Sequence, residues 1–504
     1  MSRIAAVLAA TLLAAPFLAT GAAQAQAPTV RIDTGPLVGV TEGPANVFRD
    51  IPYAAAPVGD LRWAPPQPAK AWSAPRPAAE AGPSCPQPMN ADGSPNSGGA
   101  NGPTSEDCLQ LNVFAPKGAK GAPVMVWIHG GGHRTGAGWV YGGQNFARDG
   151  VVAVTINYRL GALGYFAHPA IDAAARPGDP VGNYGLMDQI AALKWVQRNI
   201  ARFGGDPKNV TVFGESAGGQ STLALLATPS AKGLYQKAIV ESGLGWVTPK
   251  TLTVREAEGV KALEKAGIAA ATIADLRALP VEKLVAVNDD YQPFVDGKLM
   301  TETASQAAAD GHFADVPLII GSNSGEDSLM GPRVAPQMLA AIPPIAKAVY
   351  QDEAAVSDEA VARAIFTDRV MGGPARWIAG KASGGQPAWL YYFSYVGSRF
   401  PPSKTRASHA DEIQYVWEYW GRRTPMSMVS AKDQEVATLM HACWVSFAKT
   451  GAPKCGSEAW PAYRPETDQL MEFGAASGVR THFRKTQLDL QERVSLPALQ
   501  LGGK

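Results

Sequence analysis

Asn209 to Ala227 reads NVTVFGESAGGQSTLALLA, and few folds accommodate such a stretch. Val210, Thr211, Val212 and Phe213 form a short run of the kind buried on both faces of a sheet. Ala217 through Ala227 has the character of a helix packed closely through small residues. The unit Gly214-Glu215-Ser216-Ala217-Gly218 joins the two, so the chain must turn from strand to helix almost at once. Flanking glycines permit that turn, and it lifts the Ser216 hydroxyl above the sheet, as in a nucleophile elbow. The pattern G-x-S-x-G arises readily by chance in a chain with 53 glycines. Its place between strand and helix is what gives it weight.

Other apolar runs share the continuous character of buried strands: Val124–Ile128, Val151–Ile156, Ala238–Glu241, Pro317–Ile320 and Trp389–Tyr395. Helical patterns fall between many of them. From Asp188 to Phe203, Ile190, Leu193, Val196, Ile200 and Phe203 make one face, Lys194, Gln197, Arg198 and Arg202 lie opposite, and Gly204 supplies a stop. Strands alternating with helices predict an α/β fold, with a mostly parallel central sheet and helices on both faces.

The chain opens with one arginine, an apolar run from Ile4 to Leu18, and small residues at Ala23 and Ala25. This predicts a secretory signal peptide over residues 1–25 and a secreted or periplasmic protein without a stable membrane anchor, since the run is shorter than the roughly 20 residues that span a bilayer. The formal net charge is +1 with no basic cluster, which argues against nucleic acid as a partner. Four cysteines in an exported chain form an even set, and nearness in sequence favours Cys85 with Cys108 and Cys443 with Cys455. The Gly- and Ser-rich segment 91–103 lies inside the first of these pairs and reads as a tethered surface loop. No linker divides residues 26–504, so a single domain is expected although length alone suggests about three.

Just after the VMVWI run come His129, Gly130, Gly131 and Gly132. Backbone N–H groups in such a glycine run suit the anion that a carbonyl oxygen becomes during acyl transfer. A serine nucleophile also needs a base. Of seven histidines, His129 and His133 flank the glycines, His168 precedes a proline, and His312, His441 and His482 lack a polar cluster. His409 lies in RASHADEIQYVWEYW, beyond the serine as the order serine, acid, histidine requires. The acid belongs between them. The segment VPLIIGSNSGED places Glu326 and Asp327 in a turn after a buried strand, and local reasoning does not choose between these neighbours. None of the Cys and His spacings reads as a metal site.

Together these residues resemble the type-B carboxylesterase/lipase family. The likeness runs from about Pro36 to Tyr463 and includes DIPYAAAPVGDLRWAPP, EDCLQLNVFAP, HGGG, NYRLGALGY, the long segment ending in GESAGG, GSNSGED, and FAKTGAP with WPAY. The resemblance implies an α/β-hydrolase fold and an ester hydrolase acting on a small-molecule ester without cofactor or metal. It also implies a Ser216, Glu326, His409 triad, and oxyanion donors on Gly131, Gly132 and Ala217. Cys85–Cys108 fits the family pattern, as do ion pairs Arg62–Glu106 and Arg159–Asp188. His133 and Arg134 depart from it, standing where an aromatic or apolar residue is usual, and are expected to touch substrate. Lipase, thioesterase or amidase action on the same triad is the nearer alternative, and a non-catalytic binding member of the fold the more distant one.

Overall fold

The computed structural model describes residues 27–421, 424–457 and 459–499; the expected signal peptide lies outside them. Among the described residues the chain forms strands β1 (Thr29–Arg31), β2 (Pro36–Val38), β3 (Val40–Glu42), β4 (Ala45–Pro52), β5 (Arg76–Pro77), β6 (Gln110–Pro116) and β7 (Ala122–Ile128). Then follow β8 (Val152–Ile156), β9 (Gly205–Glu215), β10 (Lys237–Glu241), β11 (Leu318–Asn323), β12 (Ala388–Phe393), β13 (Gln469–Phe473) and β14 (Gly478–Thr481).

Strands β1, β2 and β5 make a small sheet, and the other eleven form one large sheet in the order β14-β13-β12-β11-β10-β9-β7-β8-β6-β4-β3. From β13 through to β8 all neighbours run parallel. Antiparallel strands finish both edges. The apolar runs predict this centre because a parallel sheet needs helices on both faces. Successive side chains of β7 divide accordingly: Val124, Val126 and Ile128 join a core with Leu193, Val196 and Leu223, while Met125 and Trp127 join another with Phe146, Met440 and Trp444. Each such aliphatic side chain, fully buried, contributes about 1.5–3 kcal/mol, so neither face tolerates a charge.

The helix expected from Asp188 begins earlier, spanning Tyr184–Asn199, and continues as a tight turn over Ile200–Phe203 that Gly204 ends in the left-handed region. Tyr184, Gly185, Leu186 and Met187 are all buried, so this first turn carries no exposed face from which a helical period could be read. Among the described residues no helix is long and apolar enough to cross a membrane. Cys85 is bonded to Cys108 and Cys443 to Cys455.

Both implied ion pairs are present. Arg62 meets Glu106 through Nε at 2.8 Å and Nη2 at 2.5 Å, bracing the first disulfide loop. Arg159 meets Asp188 through Nε at 2.8 Å and Nη2 at 2.7 Å, and the Arg159 backbone N–H adds a third bond at 3.0 Å. Neither side chain of this second pair is more than 2% exposed. Removing one partner strands a desolvated charge, so Asp188→Ala is expected to cost about 3–5 kcal/mol. Denaturant midpoints check this: the double change Arg159→Met with Asp188→Leu should unfold later than Asp188→Ala alone, and equal midpoints would mean that no stranded charge is involved.

Candidate active site

Because the central strands are parallel, the loops at their carboxyl ends gather along one edge, where open α/β sheets place their ligands. β9 ends at Glu215, and Ser216 follows with φ 56° and ψ −122° before the Ala217–Ala227 helix. This conformation is costly for a residue with a side chain. It is held by the Ser216 N–H, which donates to the Glu241 carbonyl at the end of β10 at 2.8 Å. The helix begins so close to β7 that a Cβ at Gly218 would lie 2.0 Å from the Ile128 carbonyl oxygen. A glycine there is a condition of the turn.

The glycine run leaves β7 beside this serine. Gly131 has φ 100°, and a Cβ on it would lie 2.2 Å from the Thr135 carbonyl oxygen. Among the described residues the N–H groups of Gly131, Gly132 and Ala217 have no protein acceptor. These are the donors named from the resemblance.

His409 lies in the chain that follows β12, only 11% of its side chain exposed. Its Nδ1–H donates to Glu326 Oε2 at 2.6 Å. The other oxygen of Glu326 accepts from the Ser242 hydroxyl at 2.6 Å and the Asn323 N–H at 2.7 Å, so this carboxylate is held on both sides. Asp327 turns the other way, to Arg406 at 2.9 Å and Arg363 at 3.4 Å. The structure thus separates the two neighbours that sequence left together.

Sequence reasoning missed three further buried glutamates. Glu215 Oε1 lies 3.1 Å from His409 Nε2. Burial raises Glu412 well above the usual carboxylate range, and raises Glu241, whose Oε1 accepts from Trp444 Nε1 at 2.8 Å, to about 8. Burial thus favours the neutral form of both, which lessens the like charge in the site. A signal existed for Glu215 and Glu412, since charged residues stand inside GESAG and HADE, but nothing local said they point inward. Burial by itself would lower the His409 pKa; the carboxylates of Glu215 and Glu326 outweigh it and raise the pKa. Glu215→Gln removes one stabiliser of the imidazolium, so the base is free at lower pH, and the acid limb of kcat/KM should move down by about one pH unit. A limb that stays in place or moves up would show that Glu215 does not set this ionisation.

Two cavities flank the serine loop. One of about 560 Å³ includes Ser216, Ala217, Arg134, Leu244 and Trp246 in its wall. The other, about 180 Å³, lies beside Gly130, Gly131 and Glu215 and is walled by Tyr141, Trp417 and Trp420. Ser97, Gly98 and Gly99 also line it, so part of the expected surface loop turns inward. His133, expected at the substrate, borders the larger cavity with only 1% exposed. Its Nδ1–H donates to the Tyr291 carbonyl at 3.1 Å, which leaves Nε2 to accept from the Ser221 hydroxyl at 3.0 Å. Burial lowers its pKa to about 4. It is a neutral strut between the glycine loop and the Ser216 helix, with no nitrogen left for a substrate. Elsewhere, Asp149, Glu418 and His441 bring possible metal ligands within 4.8 Å, but Arg148 Nη2 lies 2.5 Å from both carboxylates and already supplies the cation.

The carboxylesterase family model matches residues 26–341 and 337–491. The chain is 36% identical to fumonisin B1 esterase of Sphingopyxis macrogoltabida over 88% of its own length and 86% of that protein. It is 37% identical to para-nitrobenzyl esterase of Bacillus subtilis, over 87% and 93%. A solved para-nitrobenzyl esterase structure superposes with a TM-score of 0.80 at 34% identity, covering 91% of this chain and 99% of that one. Sequence and architecture agree: the chain has the α/β-hydrolase fold, belongs to the carboxylesterase family and is a carboxylic-ester hydrolase.

Proposed function

We propose that hydrolysis proceeds through an acyl-enzyme on Ser216. His409 Nε2 accepts the Ser216 proton, the alkoxide attacks the ester carbonyl, and the N–H groups of Gly131, Gly132 and Ala217 hold the oxyanion. The imidazolium protonates the departing alcohol. Water, deprotonated by His409, then attacks the acyl-enzyme, and the acid leaves as the proton returns to Ser216. Glu326 keeps the imidazole in the tautomer with Nδ1 protonated. The observation that carries this reading is the bond from His409 to the buried, doubly held Glu326 at 2.6 Å, at the edge where the strained Ser216 is raised from the sheet. A fluorophosphonate probe tests it. The probe should add to the peptide containing Ser216 and stop turnover in proportion, and labelling at another residue would overturn the assignment.

We also propose that residues 1–25 are an export signal and that the remainder is one catalytic domain in a secreted or periplasmic protein. The two disulfides support this reading, since such bonds persist in oxidising compartments.

A further inference from the structure

The larger cavity beside Ser216 carries charge on one wall. Lys250 Nζ lies 2.9 Å from Glu258 and 3.0 Å from Asp290. Arg255 meets Glu258 and lies 3.0 Å from Asp289. These three carboxylates and two cations form a closed network with one negative charge in surplus. Arg134 stands outside it. Its Nη1 donates to the side-chain oxygen of Asn288, and its guanidinium carbon lies 5.5 Å from the centre of the Tyr291 ring. Among the described residues it has no carboxylate partner. A guanidinium presents five N–H donors in a planar fork, and the protein uses one of them. Asn288 and Tyr291 fix the group without neutralising it. The buried His133 beside it is neutral and adds no second charge.

We propose, on the reading that Ser216 is the nucleophile, that Arg134 is a specificity-determining residue and that the preferred esters carry a carboxylate on the part of the molecule lying in this cavity. A carboxylate there takes two parallel hydrogen bonds from the fork in a site partly closed to water, where a charged pair is stronger than in solvent. The surplus charge of the neighbouring network opposes an anion. Arg134 therefore decides whether this wall attracts one or repels it, and without it the same wall favours cationic esters.

The test compares kcat/KM, at low ionic strength, for two carboxylate esters and their primary-amide isosteres. Monoethyl adipate places the charge on the acyl side, and γ-acetoxybutyrate places it on the alcohol side. In at least one pair the native enzyme should favour the carboxylate by roughly 10- to 100-fold. That ratio should fall to about one or below in Arg134→Gln and recover in part in Arg134→Lys, which keeps the charge but loses the fork. A native enzyme that shows no preference in either pair, that prefers the amides, or whose ratio is unchanged in Arg134→Gln overturns the proposal. Fluorophosphonate labelling of Ser216 in the same preparation separates two failures. Labelled enzyme that hydrolyses the amide-bearing esters without charge preference refutes the role of Arg134 alone, whereas enzyme that neither labels nor turns over any ester refutes the nucleophile as well.

Discussion

Ser216→Ala is expected to lower kcat by roughly 10⁵- to 10⁶-fold while the protein stays folded. The mechanism has no second nucleophile within it, so the loss is that of the covalent route. The residual rate comes from the oxyanion donors and binding alone. Folding should survive because alanine occupies the same backbone position and removes a single oxygen. The Ser216 N–H still donates to Glu241, and the closeness of Gly218 to Ile128 is untouched. Turnover of para-nitrophenyl acetate, read with circular dichroism and a thermal melt, is the measurement. Activity above a few per cent of the native enzyme in a folded variant would remove Ser216 from the mechanism.

The second large effect is a contrast between adjacent acids. Glu326→Gln should lower kcat by about 10³- to 10⁴-fold. The oxygen facing Ser242 and Asn323 accepts two hydrogen bonds, so the amide nitrogen of glutamine is excluded from that side and must face His409 Nδ1. It would donate there, move the ring proton to Nε2, and leave no lone pair for the Ser216 proton. Asp327→Asn disturbs the ion pairs with Arg406 and Arg363 and the hydrogen bond from Thr367, none of which reaches His409. It should lower the melting temperature and leave kcat largely intact. Comparable losses of kcat in the two variants would mean that Glu326 is not the group orienting the histidine.

What could be read without coordinates was of two kinds. Where a signal is local and repeats along the chain, the residues carry it themselves. The runs at Val124, Val210, Ala238 and Trp389 lie in strands of the large sheet, because a strand buried on both faces must be apolar throughout. The Ala217–Ala227 helix and the stop at Gly204 are likewise settled within a few residues. The first turn from Tyr184 was not legible, because burial on every side erases the helical period.

The site residues divide along the same line. GESAG and the glycine run announce themselves by composition, since close backbone approach excludes side chains at Gly218 and Gly131. Between Glu326 and Asp327 composition is silent: both are acids in one turn, and contacts with Ser242, Asn323 and His409 on one side and Arg406 and Arg363 on the other decide which points where. His133 and Arg134 are also neighbours in sequence and border the same cavity, yet one has both ring nitrogens held by Ser221 and Tyr291 and the other has no carboxylate partner among the described residues. Glu215 and Glu326 reach His409 from segments far from it in the chain. Sequence by itself determined six central strands of the sheet, the helix after Ser216, most of the helix ending before Gly204, and the elbow, because hydrophobic period and backbone freedom act over a few residues. Only the tertiary structure decided which carboxylate bonds the histidine and which cation faces the cavity, because a side chain in an irregular turn takes its direction from partners that folding brings to it.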